Sequence, residues 1–442
     1  MNKRTHLVLV PGFGGFDALG QIFYYAGVSF SADRWRLKNP SRTLALHYFE
    51  SLPTAGVRTR AMALRAFLEE RELRGIFQRD DRITLLGHST GGLDIRQLLV
   101  NLGFGDFDVS YRDDVEKKMV EDKDLRERID RLVFLSVPQR GTNIADFIRH
   151  FRTVFRLGLE QGELIIKAQH ETVFERIDRW LLSKIDSRDL RPQLLAALRD
   201  TVADMLPPAS TKTPSDRYQA ALARAAHGEL IGWLDNVETD FFAIDDLAVN
   251  PAPDAPRTPS RYSETDRRRE LEAWKAAHVP IRTRSYATVG RRPYDKDPAA
   301  SSILLAEIGH VVSAVVADQG SGTDVVYRAA YAATAAGPFE IVGDASVTDN
   351  GVRRVLRSWE NDGIVNTASM LWPDGPETRL VHADHGDIIG HYRPTDPIKG
   401  SEQVTTRKNH SYDILGSNSG FRDEVQDFDR VWHEIFDFAT DE

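Results

Sequence analysis

The residues of this 442-residue chain that could do chemistry are a serine among glycines and a set of histidines and aspartates far downstream of it. Ser89 lies in the stretch LLGHSTGG, residues 85–92. A serine hydroxyl is a poor nucleophile at neutral pH, and it needs a base within hydrogen-bond reach and a third group to hold that base. Downstream, His382, His385 and His391 are the candidate bases. Asp362 and Asp374 each stand before a glycine, where a turn would leave a carboxylate at a strand end, and are the candidate acids. A cysteine nucleophile, disulfides and thiolate metal sites are excluded, since the chain has no cysteine.

Ser89 needs particular elements around it. The apolar run from Ile83 to Leu86 precedes it and a helical pattern from Leu93 to Leu102 follows, so the stretch reads as strand, tight turn and helix with the serine at the tip. Gly87 and Gly91 let strand and helix approach closely at this elbow, and Ser89 is expected in a strained backbone conformation with its oxygen exposed. A second loop, Pro11 to Gly15, follows the apolar run Leu7 to Val10. Backbone N–H groups from two such loops are what an oxyanion hole requires.

Further along, Thr43 to Tyr48 and Leu132 to Ser136 read as strands. A helix capped by Thr54 carries Val57, Ala61, Leu64 and Leu68 on one face. Strands alternating with helices predict an α/β architecture around a mostly parallel sheet with helices on both faces. The rhythm breaks after Thr142. Residues 143–277 are mostly helical in pattern and read as a lid or cap inserted into a core formed by residues 1–142 and 278–442. An insertion leaving the carboxyl end of a parallel strand starts near the edge that carries Ser89, so it is expected to project over the serine. Ile144, Phe147, Ile148, Phe151, Val154 and Phe155 are apolar enough to line a pocket there. The strand pattern returns at Pro280 to Val289. Helical patterns follow at Ile303 to Ala317 and Asp324 to Ala335, then a short strand at Thr378 to Val381 and an amphipathic closing helix from Val425 to Phe438.

With 57 basic and 66 acidic residues the net charge is −9, which argues against a general nucleic-acid binder. No apolar run reaches the roughly 20 residues needed to span a bilayer. The first apolar segment stops at Pro11, too short for a signal-peptide core, so the expectation is a cytoplasmic protein with no transmembrane segment.

Five short stretches, in order, resemble the bacterial true lipases of the α/β-hydrolase fold: VLVPGFGGFD (8–17), LLGHSTGG (85–92), LSVPQRGT (135–142), WENDGIVNTASM (359–370) and DHGDIIG (384–390). The fourth and fifth are closest to the thermoalkalophilic group of that family. The resemblance implies a serine lipase or esterase with Ser89 as nucleophile, His385 as general base and Asp362 as its orienting acid. It implies an oxyanion hole from the backbone N–H groups of Phe13 and Thr90. It further implies a small-molecule or lipid ester as substrate, no required cofactor, transient contact of the lid with a lipid interface, and a structural calcium at Asp387. Pro11-Gly12 stands where the family usually has His-Gly, and Gln139 where it usually has His. A serine acyltransferase or thioesterase would use the same three residues. A binding protein on the same fold would need none of them.

Overall fold

The computed structural model describes residues 4–15, 18–19, 22–53, 55–102, 125, 128–146, 246–247, 281–293, 324–335, 345–372, 375, 377–392, 415, 417, 421 and 425–441. The proposed lid falls almost wholly outside these, as do the helix expected at 303–317, Thr54 and Asp374.

Ten strands are described: β1 (Thr5–Val10), β2 (Ala18–Leu19), β3 (Ile22–Phe23), β4 (Leu44–Tyr48), β5 (Arg82–His88), β6 (Ile129–Leu135), β7 (Arg282–Val289), β8 (Ser346–Asp349), β9 (Val352–Val355) and β10 (Thr378–His382). The helices are α1 (Val28–Lys38), α2 (Val57–Leu73), α3 (Thr90–Asn101), α4 (Asp324–Ala335) and α5 (Val425–Thr440). Eight strands form one sheet in the order β4-β1-β5-β6-β7-β10-β8-β9. Every pairing in it is parallel except the terminal hairpin of β8 and β9. The remaining two strands, β2 and β3, make a small antiparallel ribbon.

Alternation along the strands divides the core. Val8 and Val10 of β1, Ile83 and Leu85 of β5, and Leu132 and Phe134 of β6 pack on the face covered by α2 and α3. Leu7, Leu9, Leu86, Val133 and Leu135 point the other way, against α1 and α5. The central strands are therefore continuously apolar where both faces are covered, at Leu7–Val10 of β1, Leu85–Leu86 of β5 and Leu132–Leu135 of β6. On α5, Phe428, Val431, Trp432, Ile435 and Phe436 form the buried stripe, and Trp35 of α1 meets Phe436 with ring centroids 5.8 Å apart.

One local expectation is corrected. The helix expected to start with Thr54 as cap begins at Val57 with Gly56 as its N-cap, and the Val57 N–H is taken by the carboxylate of Asp246, 2.8 Å away. A distant acidic side chain thus satisfies a first-turn donor that a local one was expected to cover. Ser89 as a whole residue is 6% exposed. The parallel order, the helices on both faces and the serine at the β5–α3 turn make this the α/β-hydrolase fold.

Candidate active site

The loops after β1, β5, β6, β7 and β10 all lie at the carboxyl edge of the parallel sheet, so residues far apart in sequence converge there. Ser89 has φ 53° and ψ −132°, a conformation that only glycine adopts without cost. Its N–H donates to Leu135 O at 3.0 Å, and its C=O accepts from Gly92 N–H. Close approach explains the neighbouring glycines. A Cβ on Gly87 would meet the Gly92 backbone at 2.5 Å, and one on Gly91 would meet Val10 O at 2.4 Å. The N–H of Thr90 opens α3, in the first turn, where no intrahelical acceptor exists.

The loop after β1 is held by a buried guanidinium. Arg60 of α2 donates to Pro11 O at 3.1 Å, to Gly12 O at 3.2 Å and to Asp94 Oδ2 of α3 at 2.7 Å. Arg60 and Asp94 are both fully buried. Burial pushes the Asp94 carboxyl up, against the pull of Arg60. In a trans peptide the C=O and the following N–H point in opposite directions. Arg60's hold on Gly12 O therefore fixes the direction of the Phe13 N–H. Among the described residues that N–H has no acceptor. The Phe13 side chain itself is 43% exposed.

Asp362 and His385 meet. Nδ1 of His385 lies 2.8 Å from Asp362 Oδ2, and the His385 N–H donates to the Asp362 carbonyl at 3.0 Å. The same Oδ2 accepts from Thr288 Oγ1 at 2.6 Å, while Oδ1 accepts the N–H groups of Ile364 and Val365 at 3.0 and 2.8 Å. Asp362 is wholly buried, with these donors around its carboxylate. The His385 carbonyl accepts from His88 Nε2 at 2.9 Å, and the two imidazole rings lie 4.6 Å apart. His385 therefore packs against the residue that precedes Ser89. No hydrogen bond between Ser89 Oγ and His385 Nε2 is present among the described residues, and in unliganded sites such bonds often tighten only when substrate is bound.

The other candidates go elsewhere. Nε2 of His382 lies 3.1 Å from both carboxylate oxygens of Asp349, and His391 Nε2 reaches Tyr24 O at 3.0 Å. Asp387 braces the base's loop, accepting the Asp384 N–H on Oδ2 at 2.9 Å. Asp384 Oδ1 in turn accepts the N–H groups of Gly386 and Asp387, and its Oδ2 accepts from Ser417 Oγ. Oδ2 of Asp387 and both oxygens of Asp384 are thus engaged by donors, and among the described residues no three acidic or histidine side chains assemble a metal cage. The resemblance to the true lipases also suggests a second acidic position for calcium, Asp396, which lies outside the described residues. Thr288, Arg60, Asp94, Tyr24 and His88 are participants that the sequence did not single out.

No family model matches the chain, and no curated protein matches it. Among solved structures it is similar to the Staphylococcus hyicus lipase, at 14% identity with a TM-score of 0.39, over 99% of this chain and 95% of that one. Lipase 1 from Pelosinus fermentans is also 14% identical with a TM-score of 0.39, over 88% of this chain and 94% of the other. A metagenomic carboxyl esterase is 15% identical with a TM-score of 0.33, over 98% of this chain and 77% of that one. Among the described residues no helix is long and apolar enough to cross a membrane.

Proposed function

We propose that this chain is a serine carboxylic-ester hydrolase of the true-lipase kind, working through an acyl-enzyme on Ser89. The observation that carries the reading is the 2.8 Å pairing of His385 Nδ1 with the buried Asp362 carboxylate, on a loop packed against the Ser89 elbow.

In this reading Nε2 of His385 takes the Ser89 proton as Oγ attacks the ester carbonyl carbon. Asp362 holds the imidazole in the required tautomer and stabilises the imidazolium that forms. The carbonyl oxygen becomes an oxyanion and is met by the N–H groups of Phe13 and Thr90. His385 then returns the proton to the departing alcohol, leaving an ester on Ser89. A water molecule, deprotonated by His385, attacks that ester, and the acid is released as His385 returns the proton to Ser89 Oγ. Atoms balance with water as the sole co-reactant, so no cofactor is required. The insertion at 143–277 serves as a lid that covers an acyl chain and touches a lipid interface.

The test is a series of p-nitrophenyl esters from acetate to palmitate, turned over by wild type and Ser89→Ala. Turnover that rises with chain length and vanishes in the variant supports the reading. Full turnover by purified Ser89→Ala sinks it. Adding an alcohol acceptor to the same assay separates hydrolysis from acyl transfer.

A further inference from the structure

We infer that Tyr24 and His88 are positioning residues that fix the distance between the nucleophile's elbow and the base's loop. The inference rests on the Ser89–His385–Asp362 reading above. It starts from a chain of hydrogen bonds whose direction is dictated at every link.

Tyr24 follows β3 and is buried. Its Oη lies 2.6 Å from the Gly12 nitrogen, which can only donate. The phenol proton is then free to go to Nδ1 of His88, 2.7 Å away. An imidazole that accepts at Nδ1 and is neutral carries its proton on Nε2. That Nε2–H faces the carbonyl of His385 at 2.9 Å, which can only accept. Each proton has one place to go. The chain runs from the loop after β1, through Tyr24 and the elbow residue His88, to the base. Burial keeps both ends of the chain's middle neutral: it holds His88 well below the usual histidine range and pushes the Tyr24 phenol up.

The chain also closes on itself. His391, six residues after His385, has Nε2 3.0 Å from the main-chain oxygen of Tyr24. Tyr24 therefore grips the oxyanion loop and the elbow through its hydroxyl, and the far end of the base's loop through its backbone. For His385 the consequence is specific. Its N–H is held by Asp362 O, its C=O by His88, and its Nδ1 by the Asp362 carboxylate. Nε2 is the polar atom left over, and it sits on the imidazole whose ring packs on His88. His88 is bonded covalently to Ser89, so its side chain acts as a strut between nucleophile and base. A buried donor or acceptor left without its partner is costly, and here the cost is felt where the reaction needs close alignment.

The experiment uses the full chain with p-nitrophenyl butyrate, alongside a phosphonate ester that forms a covalent adduct on the elbow serine. Tyr24→Phe keeps the ring and removes the hydroxyl. Expected is a roughly ten- to hundredfold fall in kcat with KM held, and a matching fall in phosphonylation rate. His88→Gln keeps a donor for the His385 carbonyl and should retain more activity than His88→Leu. The double variant Tyr24→Phe/His88→Gln should lose no more than the worse single one, since both cut one chain. Ring 15N spectra should show His88 as the Nε2–H tautomer, with its Nδ1 resonance moved by Tyr24→Phe. Wild-type kcat in a folded Tyr24→Phe, a loss seen only as a lower Tm, or losses that multiply in the double variant overturn the inference. If Tyr24→Phe fails to fold, the comparison of His88→Gln with His88→Leu decides, and equal kcat in those two overturns it. Wild type that neither hydrolyses esters nor takes the phosphonate is a different failure, that of the triad itself.

Discussion

The hydroxyl of Thr288 donates to the same oxygen of Asp362 that faces His385 Nδ1, at 2.6 Å. Ser136 Oγ lies 2.7 Å from Thr288 Oγ1 on the other side. A carboxylate can only accept, so the Thr288 proton goes to Asp362 and Ser136 supplies the next one. Thr288→Val keeps the volume and shape of the side chain while removing that donor. We expect kcat to fall by roughly tenfold, the worth of one hydrogen bond to a charged group, with Thr288→Ser restoring most of it. Equal kcat in the Val variant and wild type would show that the bond is idle in turnover.

Ser89 offers a test in which stability and activity move in opposite directions. Its φ of 53° is costly for any residue with a Cβ. Ser89→Gly should relieve strain of about 1–3 kcal/mol and raise Tm, while abolishing ester hydrolysis. Ser89→Ala should be equally inactive without the gain in Tm. Thermal melts and a phosphonate titration of the three proteins read both quantities.

Asp362→Asn removes the charge and presents the wrong partner to Nδ1. A loss of about 10⁴ in kcat is expected from the wrong imidazole tautomer. His385→Ala should be at least as impaired. His382→Ala should hydrolyse normally, because His382 is turned toward Asp349. Retained rate in His385→Ala would move the base elsewhere.

Arg60 and Asp94 are a buried pair, and cutting one partner strands the other. Arg60→Leu should destabilise the fold by about 3–5 kcal/mol and free the two carbonyls before Phe13. Where the variant still folds, kcat should drop further than KM changes. Denaturant midpoints beside steady-state kinetics check this, and an unaltered midpoint would contradict it.

A histidine pair at the far end of β1 sets an acid limit on stability. His6 Nδ1 and His47 Nε2 are 2.9 Å apart, and burial, then His6, lowers His47 from 6.5 to about 4. His6 is lowered in the same direction, by burial above all. Between those values the two histidines hold fewer protons in the folded chain than in the unfolded one. Their contribution to stability is therefore full above about pH 6.5 and lost progressively as pH falls toward 4. Tm measured across that interval should decline in wild type and decline less steeply in His47→Gln.

Much of this arrangement could be read from residue patterns, for physical reasons. β1, β5 and β6 are covered on both faces, so they appear as unbroken apolar runs. α5 shows its stripe because its buried positions are large. Ser89, Asp362 and His385 stand in turns where small residues betray the backbone. α1 was hidden although Val28, Ser31, Ala32 and Trp35 are spaced as a helix requires, because two of its four buried residues are small and one is polar. The β8–β9 hairpin carries a signal that went unread: Asn350-Gly351, with φ 48° and 81°, is the dipeptide that tight hairpins favour. Arg60 sits on the same stripe as Val57, Ala61 and Leu64, and a charge there announces a buried partner. Its identity, Asp94, comes only from the packing of α2 on α3. Thr288 and Tyr24 have no pattern at all, since their partners are 74 and 64 residues away.

The strand order carries a consequence for how the protein comes into being. β4, β1, β5 and β6 are contiguous in the sheet and all lie within the first 135 residues, so the serine's elbow can be assembled while synthesis is still under way. Asp362 and His385 leave the ribosome more than 270 residues after Ser89, and α5, which covers the opposite face of β1, follows them. In the proposed reading the nascent chain thus holds a formed but unarmed nucleophile until the residues between Ser89 and His385 have been made and β10, which precedes the histidine, lies beside β7.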